Sequence, residues 1–112
     1  MDRISICELD EWRQAGRAFT LIDVRRAHVR AADGADIPGS LWLAPEKLFA
    51  WKDEVTRDRP AILVCAHGHE LSQGAAATLR AMGLDARFLI DGFAGWRASG
   101  RPVVPIVAEP AP

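Results

Sequence analysis

One stretch of the chain gathers side chains that do chemistry: VCAHGHELSQ, Val64 to Gln73. Cys65 is followed two and four residues later by His67 and His69, with Gly68 between them. A thiolate is a strong nucleophile, the group that sulfur-transfer and redox enzymes use. Gly68 lets the backbone turn so that successive N–H groups point inward and form a nest for an anion. His67 and His69 donate hydrogen bonds, or add positive charge when protonated. Thiolate and imidazole are also zinc and copper ligands. In a tight loop, however, alternate side chains point apart, and the sequence holds no second ligand cluster, so no metal is expected. The plain alternative for Cys65 is an inert buried cysteine at a strand end.

The surrounding elements decide between these readings. PAILVC, Pro60 to Cys65, is a continuous apolar run and reads as a buried strand, with Pro60 at its mouth, where a missing N–H is tolerated. Cys65 ends that strand, Ala66 to Leu71 form a short loop, and Ser72 is the expected N-cap of the next helix. That helix carries the stripe Ala75, Leu79 and Met82 and stops at Gly83. FTLIDVR (Phe19 to Arg25) and ARFLI (Ala86 to Ile90) read as further strands, ISICEL (Ile4 to Leu9) and SLWL (Ser40 to Leu43) as weaker ones. Helical faces are expected at Leu9, Trp12 and Ala15, at Leu48, Trp51 and Val55 after Pro45, and over Phe93 to Ala98. His28 falls in a short helix at the surface. Strands that are apolar throughout imply a sheet covered on both faces. Strand and helix in turn imply an α/β fold with a five-stranded, mainly parallel sheet and helices on both sides. Ligands of such sheets sit beyond the carboxyl ends of the strands. A helix N-terminus there offers free N–H groups and a positive dipole end, which favour a thiolate. The arrangement of strand, cysteine, glycine loop and helix therefore favours a functional thiol.

The bulk properties set outer bounds. A chain of 112 residues is one domain with room for a real core. A net charge of -1 gives no reason to expect a nucleic-acid or membrane-surface partner. No apolar run approaches the roughly 18 residues of a membrane span. MDRISICELD is acidic and mixed, unlike a signal peptide, so the cytoplasm is the expected compartment and Cys7 and Cys65 are expected to be free thiols. Cys7, in the pattern SIC, is expected to pack as a small hydrophobe in the core. Trp12, Trp42, Trp51 and Trp96 are expected in the core too. The domain is expected to span residues 1–104. The proline-rich end, 105–112, is expected to be a flexible tail that leaves the core or lies on its surface.

The chain resembles a single-domain rhodanese, the thiosulfate sulfurtransferase-like family, from about Ile4 to Val104. The resemblance rests on LIDVR with Asp23 and Arg25, ADIPGS (Ala35 to Ser40), ILVC, GAAATL, LIDGFAGW and Gly100 to Val103, in the family's order and spacing. It implies the rhodanese-like fold and a Cys65 that takes sulfane sulfur from thiosulfate or a persulfide. The sulfur is then held as a Cys65 persulfide and passed to a thiol or to cyanide, with no cofactor. It places the anion cradle at Ala66, His67, Gly68, His69, Glu70, Leu71 and Ser72, with Asp23 and Arg25 in support. The expected state is a monomer or weak dimer.

The chain also departs from the family pattern. The usual loop is a cysteine and five further residues, with arginine sixth and serine next; here Cys65 to Leu71 is seven residues and holds no arginine. Seven-residue loops resemble those of cell-cycle phosphatases and arsenate reductases, but those end in an arginine clamp where this chain has Leu71 after Glu70. Phosphoryl catalysis depends on such a clamp, so phosphatase activity is not expected. The usual histidine before Ile-Pro-Gly is Asp36, and the usual Gly-Gly pair is Asp91-Gly92. Two alternatives stand beside sulfur transfer. One is thiol-dependent reduction of an oxyanion of the arsenate or chromate type, since the loop is also similar to that of small rhodanese-like proteins associated with chromate resistance. The other is a non-catalytic sulfur carrier or binding module.

Overall fold

The run Ala61–Val64 is apolar at every position because the sheet buries both of its faces. A strand sends successive side chains to opposite sides. Ala61, Leu63 and Cys65 join one apolar cluster, and Ile62 and Val64 join the other. The first cluster lies under α3 (Leu48–Trp51) and α4 (Glu70–Ala81), and holds Trp51, Ala75, Ala76 and Leu79. The second lies under α1 (Ile6–Gln14) and α5 (Gly92–Ala98), and holds Leu9, Phe93 and Trp96. The computed structural model describes residues 1–106.

The strands are β1 (Arg3–Ile4), β2 (Thr20–Asp23), β3 (Ala35–Asp36), β4 (Leu41–Trp42), β5 (Ala61–Val64), β6 (Ala86–Leu89) and β7 (Val104–Pro105). Five of them form one sheet in the order β1-β6-β5-β2-β4. Every pairing in it is parallel, so the sheet is wholly rather than mainly parallel. β5 is central, with Leu63 beside Ile22 of β2 and Phe88 of β6. Parallel strands need covered crossovers, and the helices supply them. β3 and β7 pair antiparallel in a small second sheet, and Ile106 N–H extends that contact to the Gly34 carbonyl. β7 thus reaches Pro105, one residue into the expected tail; 107–112 lie outside the described residues. α2 (Ala27–Asp33) follows β2 and carries His28 at the surface. No helix of the described residues is long and apolar enough to cross a membrane.

Four local expectations are corrected. ISICEL is not one strand: β1 ends at Ile4, and Ser5 caps α1 in a reciprocal box with Glu8. The Ser-x-x-Glu spacing satisfies two backbone donors and starts a helix where the apolar pattern alone suggested continuation. Cys7 therefore sits in the first turn of α1 and is exposed, outside the core. The helix expected through Val55 is a single α turn between 3₁₀ turns at Pro45–Lys47 and Lys52–Glu54. The Trp51 indole donates to the Ala44 carbonyl at 2.9 Å, which holds this segment in a tight coil. Of the four tryptophans, Trp51 and Trp96 are buried, whereas Trp12 and Trp42 are half-buried.

Candidate functional site

Cys65 stands just past β5, at the carboxyl edge of the sheet. Its side chain is nearly buried, and its Sγ lies 3.0 Å from the Ser72 hydroxyl. Ser72 is not the N-cap. The helix starts at Glu70 with His69 as N-cap, and Ser72 is its third residue, in the first turn and fully buried beside the sulfur. Its hydroxyl is drawn to Cys65 and, more distantly, to the His69 carbonyl.

The loop between them is braced from behind. Phe93 and Ala94 N–H groups, in the first turn of α5, donate to the Cys65 and Ala66 carbonyls at 2.9 Å. Gln73 holds the other end, its side-chain amide donating to the Gly68 carbonyl at 2.9 Å and its backbone N–H to His69. Among the described residues, no backbone N–H from Ala66 to Ser72 donates to a backbone carbonyl. The carbonyls are tied down and the donors are left over, which is the composition of an anion nest.

Glycine is required where the loop meets α5. Gly68 has φ +76, and a Cβ there would lie 2.7 Å from the Leu89 carbonyl oxygen. Gly92 has φ +58, and a Cβ there would collide with the Cys65 carbonyl oxygen. Asp91, before it, also adopts a left-handed conformation, φ 66, which is uncommon without glycine but tolerated best by Asn and Asp.

The loop encloses an open cavity of about 220 Å³ lined by Arg26, Cys65, Ala66, His67, His69, Glu70 and Leu71. Six of these seven lie on the Cys65–Ser72 segment singled out in the sequence. Gly68 and Ser72 are buried and are not among its lining residues. Glu70 is exposed at its mouth. Among the described residues, no group of three or more His, Cys, Asp or Glu side chains is placed to hold a metal ion.

Arg26 is the residue that sequence reasoning missed. It arrives from the carboxyl end of β2, the neighbour of β5. Arg25 and Arg26 are consecutive, and the chain there is extended, so they point in opposite directions. The Trp42 indole donates to the Arg25 carbonyl at 2.8 Å and fixes the backbone between them. A cation could have been sought at this strand end, but the register that sends Arg26 and not Arg25 outward is a tertiary property.

Asp23 and Arg25 do not reach the cavity. They are 2% and 1% exposed. Arg25 bonds Asp23 and Asp36 at 2.6 Å and Asp33 at 3.0 Å, and Arg30 bonds Asp36 at 2.7 Å. Burial disfavours the Arg25 charge, but the carboxylates more than offset this and hold its pKa above the ordinary arginine value. Asp36, at the family's histidine landmark, belongs to this cluster. The Arg25 guanidinium also lies 4.0 Å over the Phe93 ring. Phe93 is the residue whose N–H holds the Cys65 carbonyl, so the ion cluster buttresses the loop without touching the cavity.

The sequence profile of the rhodanese-like domain matches residues 5–99. The chain belongs to the rhodanese-like domain family. The thiosulfate sulfurtransferase GlpE of Tolumonas auensis is 32% identical over 89 residues, 76% of this chain and 83% of that one. A rhodanese-related protein of Thermoplasma volcanium superposes with a TM-score of 0.80 at 27% identity, covering 93% of this chain and 98% of the other. A Rhodopseudomonas palustris protein of unknown function, described as a possible tyrosine phosphatase, superposes with a TM-score of 0.79 at 26% identity, covering 92% and 84%. The rhodanese-like fold is thus established, and sulfurtransferase activity is supported at the level of the family.

Proposed function

We propose that the protein is a sulfurtransferase in which Cys65 is the sulfur-accepting nucleophile. The observation that carries this reading is the loop itself: Cys65 beyond the central strand, its carbonyl and that of Ala66 tied to α5, and the N–H groups of Ala66 to Ser72 without backbone acceptors in the loop that follows the sulfur. The Cys65 thiolate attacks the outer sulfur of the donor. A Cys65 S–S bond forms, the donor S–S bond breaks, and its electron pair leaves with the departing group: sulfite from thiosulfate, a thiolate from a persulfide. The terminal sulfur on Cys65 is then held by the backbone donors and the α4 N-terminus. A thiolate acceptor, or cyanide in the test tube, attacks that sulfur and releases Cys65 as a thiolate. No group beyond the chain's own residues is needed. The cytoplasm is the proposed setting, where low-molecular-weight thiols are reduced.

Sulfur transfer from a persulfide is favoured over phosphoryl chemistry by Glu70 and Leu71. The Glu70 carboxylate opposes any dianion, phosphate and thiosulfate alike, and the loop ends in Leu71 rather than an arginine clamp.

Intact-mass measurement after brief exposure to thiosulfate, and separately to a persulfide, tests the reading. The expected result is a gain of one sulfur atom that cyanide removes and that Cys65→Ser abolishes. Retention of full sulfurtransferase activity in Cys65→Ser would overturn it.

A further inference from the structure

Besides the Cys65 sulfur and the His67 and His69 imidazoles, the cavity wall carries one guanidinium, Arg26, and one carboxylate, Glu70. Both side chains belong to exposed residues, and among the described residues neither forms an ion pair. Their neighbours differ: Arg25 and Arg30, on either side of Arg26 in sequence, are both committed to carboxylates. Arg26 and Glu70 come from different elements, the turn after β2 and the start of α4, and face one space around Cys65. A glutamate in the first turn also favours its own helix. That local role does not account for the uncommitted arginine across the cavity.

We infer that Arg26 and Glu70 form a charge-paired rim that selects a zwitterionic sulfur donor, the persulfide of an amino-acid thiol, over the thiosulfate dianion. The inference rests on the reading of Cys65 as sulfur acceptor. A donor with one carboxylate and one ammonium satisfies both rim charges. Thiosulfate, with two negative charges, gains from Arg26 and loses to Glu70. The size agrees: about 220 Å³ falls below the roughly 300–1,000 Å³ of sites for drug-sized ligands. The step balances as Cys65–S⁻ plus R–S–SH giving Cys65–S–SH plus R–S⁻. The terminal proton stays with the transferred sulfur, and the electron pair leaves with the amino-acid thiolate.

The test follows sulfur loading of Cys65 by rapid-quench intact-mass measurement with four donors. They are cysteine persulfide, 3-mercaptopropionate persulfide (carboxylate only), cysteamine persulfide (ammonium only) and thiosulfate. Each donor is its own reference, because the variant-to-wild-type rate ratio removes differences in leaving group. Arg26→Gln is expected to slow the two carboxylate-bearing persulfides about two- to fivefold, the range of an exposed charge contact, and to spare cysteamine persulfide. Glu70→Gln is expected to slow the two ammonium-bearing persulfides by a similar factor and to speed thiosulfate. Ratios that are the same for all four donors overturn the rim, and if Cys65 still loads, the sulfurtransferase reading survives. Loading from none of the donors, with Cys65 still alkylated by iodoacetamide, overturns both.

Discussion

The Cys65 sulfur has one close side-chain partner, the Ser72 hydroxyl at 3.0 Å. When Cys65 is a thiolate, that hydroxyl is the donor, since a thiolate can only accept. A hydrogen bond to a charged group contributes about 1.5–3 kcal/mol. Ser72→Ala removes it and leaves a methyl group in a buried slot, with little effect on packing. The attacking sulfur then loses its one side-chain hydrogen-bond partner. Alkylation of Cys65 by iodoacetamide is expected to change in rate by up to about tenfold, the scale of such a bond, and sulfur loading with it. The urea midpoint is expected to stay close to that of the wild type. An unchanged alkylation rate would show that Ser72 spends its proton on the His69 carbonyl instead. On the proposed reading the serine side chain is a positioning group that acts through the sulfur.

At the scale of elements, the Cys65 loop and the start of α5 form a single braced unit. Gly92 sits where a Cβ would meet the Cys65 carbonyl oxygen, the Gly68 nitrogen at 2.7 Å and the Ala66 carbonyl carbon at 2.9 Å, all backbone atoms. Backbone cannot rotate away as a side-chain tip can, so Gly92→Ala must push the loop off α5. The expected outcome is a loss of about 2 kcal/mol or more in a urea melt, as for a strained backbone position, together with loss of sulfur loading. Asp91→Gly acts in the opposite direction. Removing a left-handed non-glycine residue relieves about 1 kcal/mol, and the added freedom of the unfolded chain takes back part of it. The variant is expected to be unchanged or up to about 1 kcal/mol more stable, and a clear destabilisation would mean that the Asp91 side chain has a structural partner. This unit also marks the limit of what the sequence conveys. The runs around Leu21–Asp23, Ala61–Val64 and Ala86–Leu89 were legible as strands because burial on both faces writes itself as unbroken apolarity. The loop was legible because cysteine, glycine and histidine are rare together. The Phe93 and Ala94 brace was not, because it depends on how closely two loops approach. Ser72 read as a cap because serine usually is one; tertiary contact with Cys65 recruited it for something else. Arg26 was hidden by its neighbour, since two adjacent arginines look alike until the strand register separates them.

At the scale of the whole molecule, one ion cluster ties several elements together. Arg25, with its side chain fully shielded, ties β2 through Asp23, α2 through Asp33 and β3 through Asp36, and β3 in turn holds β7. The planar guanidinium suits this task because it presents its donors in a fixed fork; a lysine ammonium can approach these carboxylates only as a point charge. Such clusters are weak evidence of net stability, because an apolar replacement of the whole group can do as well. Breaking one is another matter. Arg25→Gln leaves the nearly buried Asp23 carboxylate without its cation, at an expected cost of about 3–5 kcal/mol in urea unfolding at pH 7. That is a large part of the 5–15 kcal/mol typical of a domain. Arg25→Lys is expected to lose less but not to restore the wild-type midpoint. Adding Asp23→Asn to Arg25→Gln is expected to return part of the loss, because it removes the uncompensated charge. A double variant no more stable than Arg25→Gln would assign the loss to the Arg25 contact with Phe93. In that case the cluster would brace the Cys65 loop by stacking on α5 rather than by balancing charge.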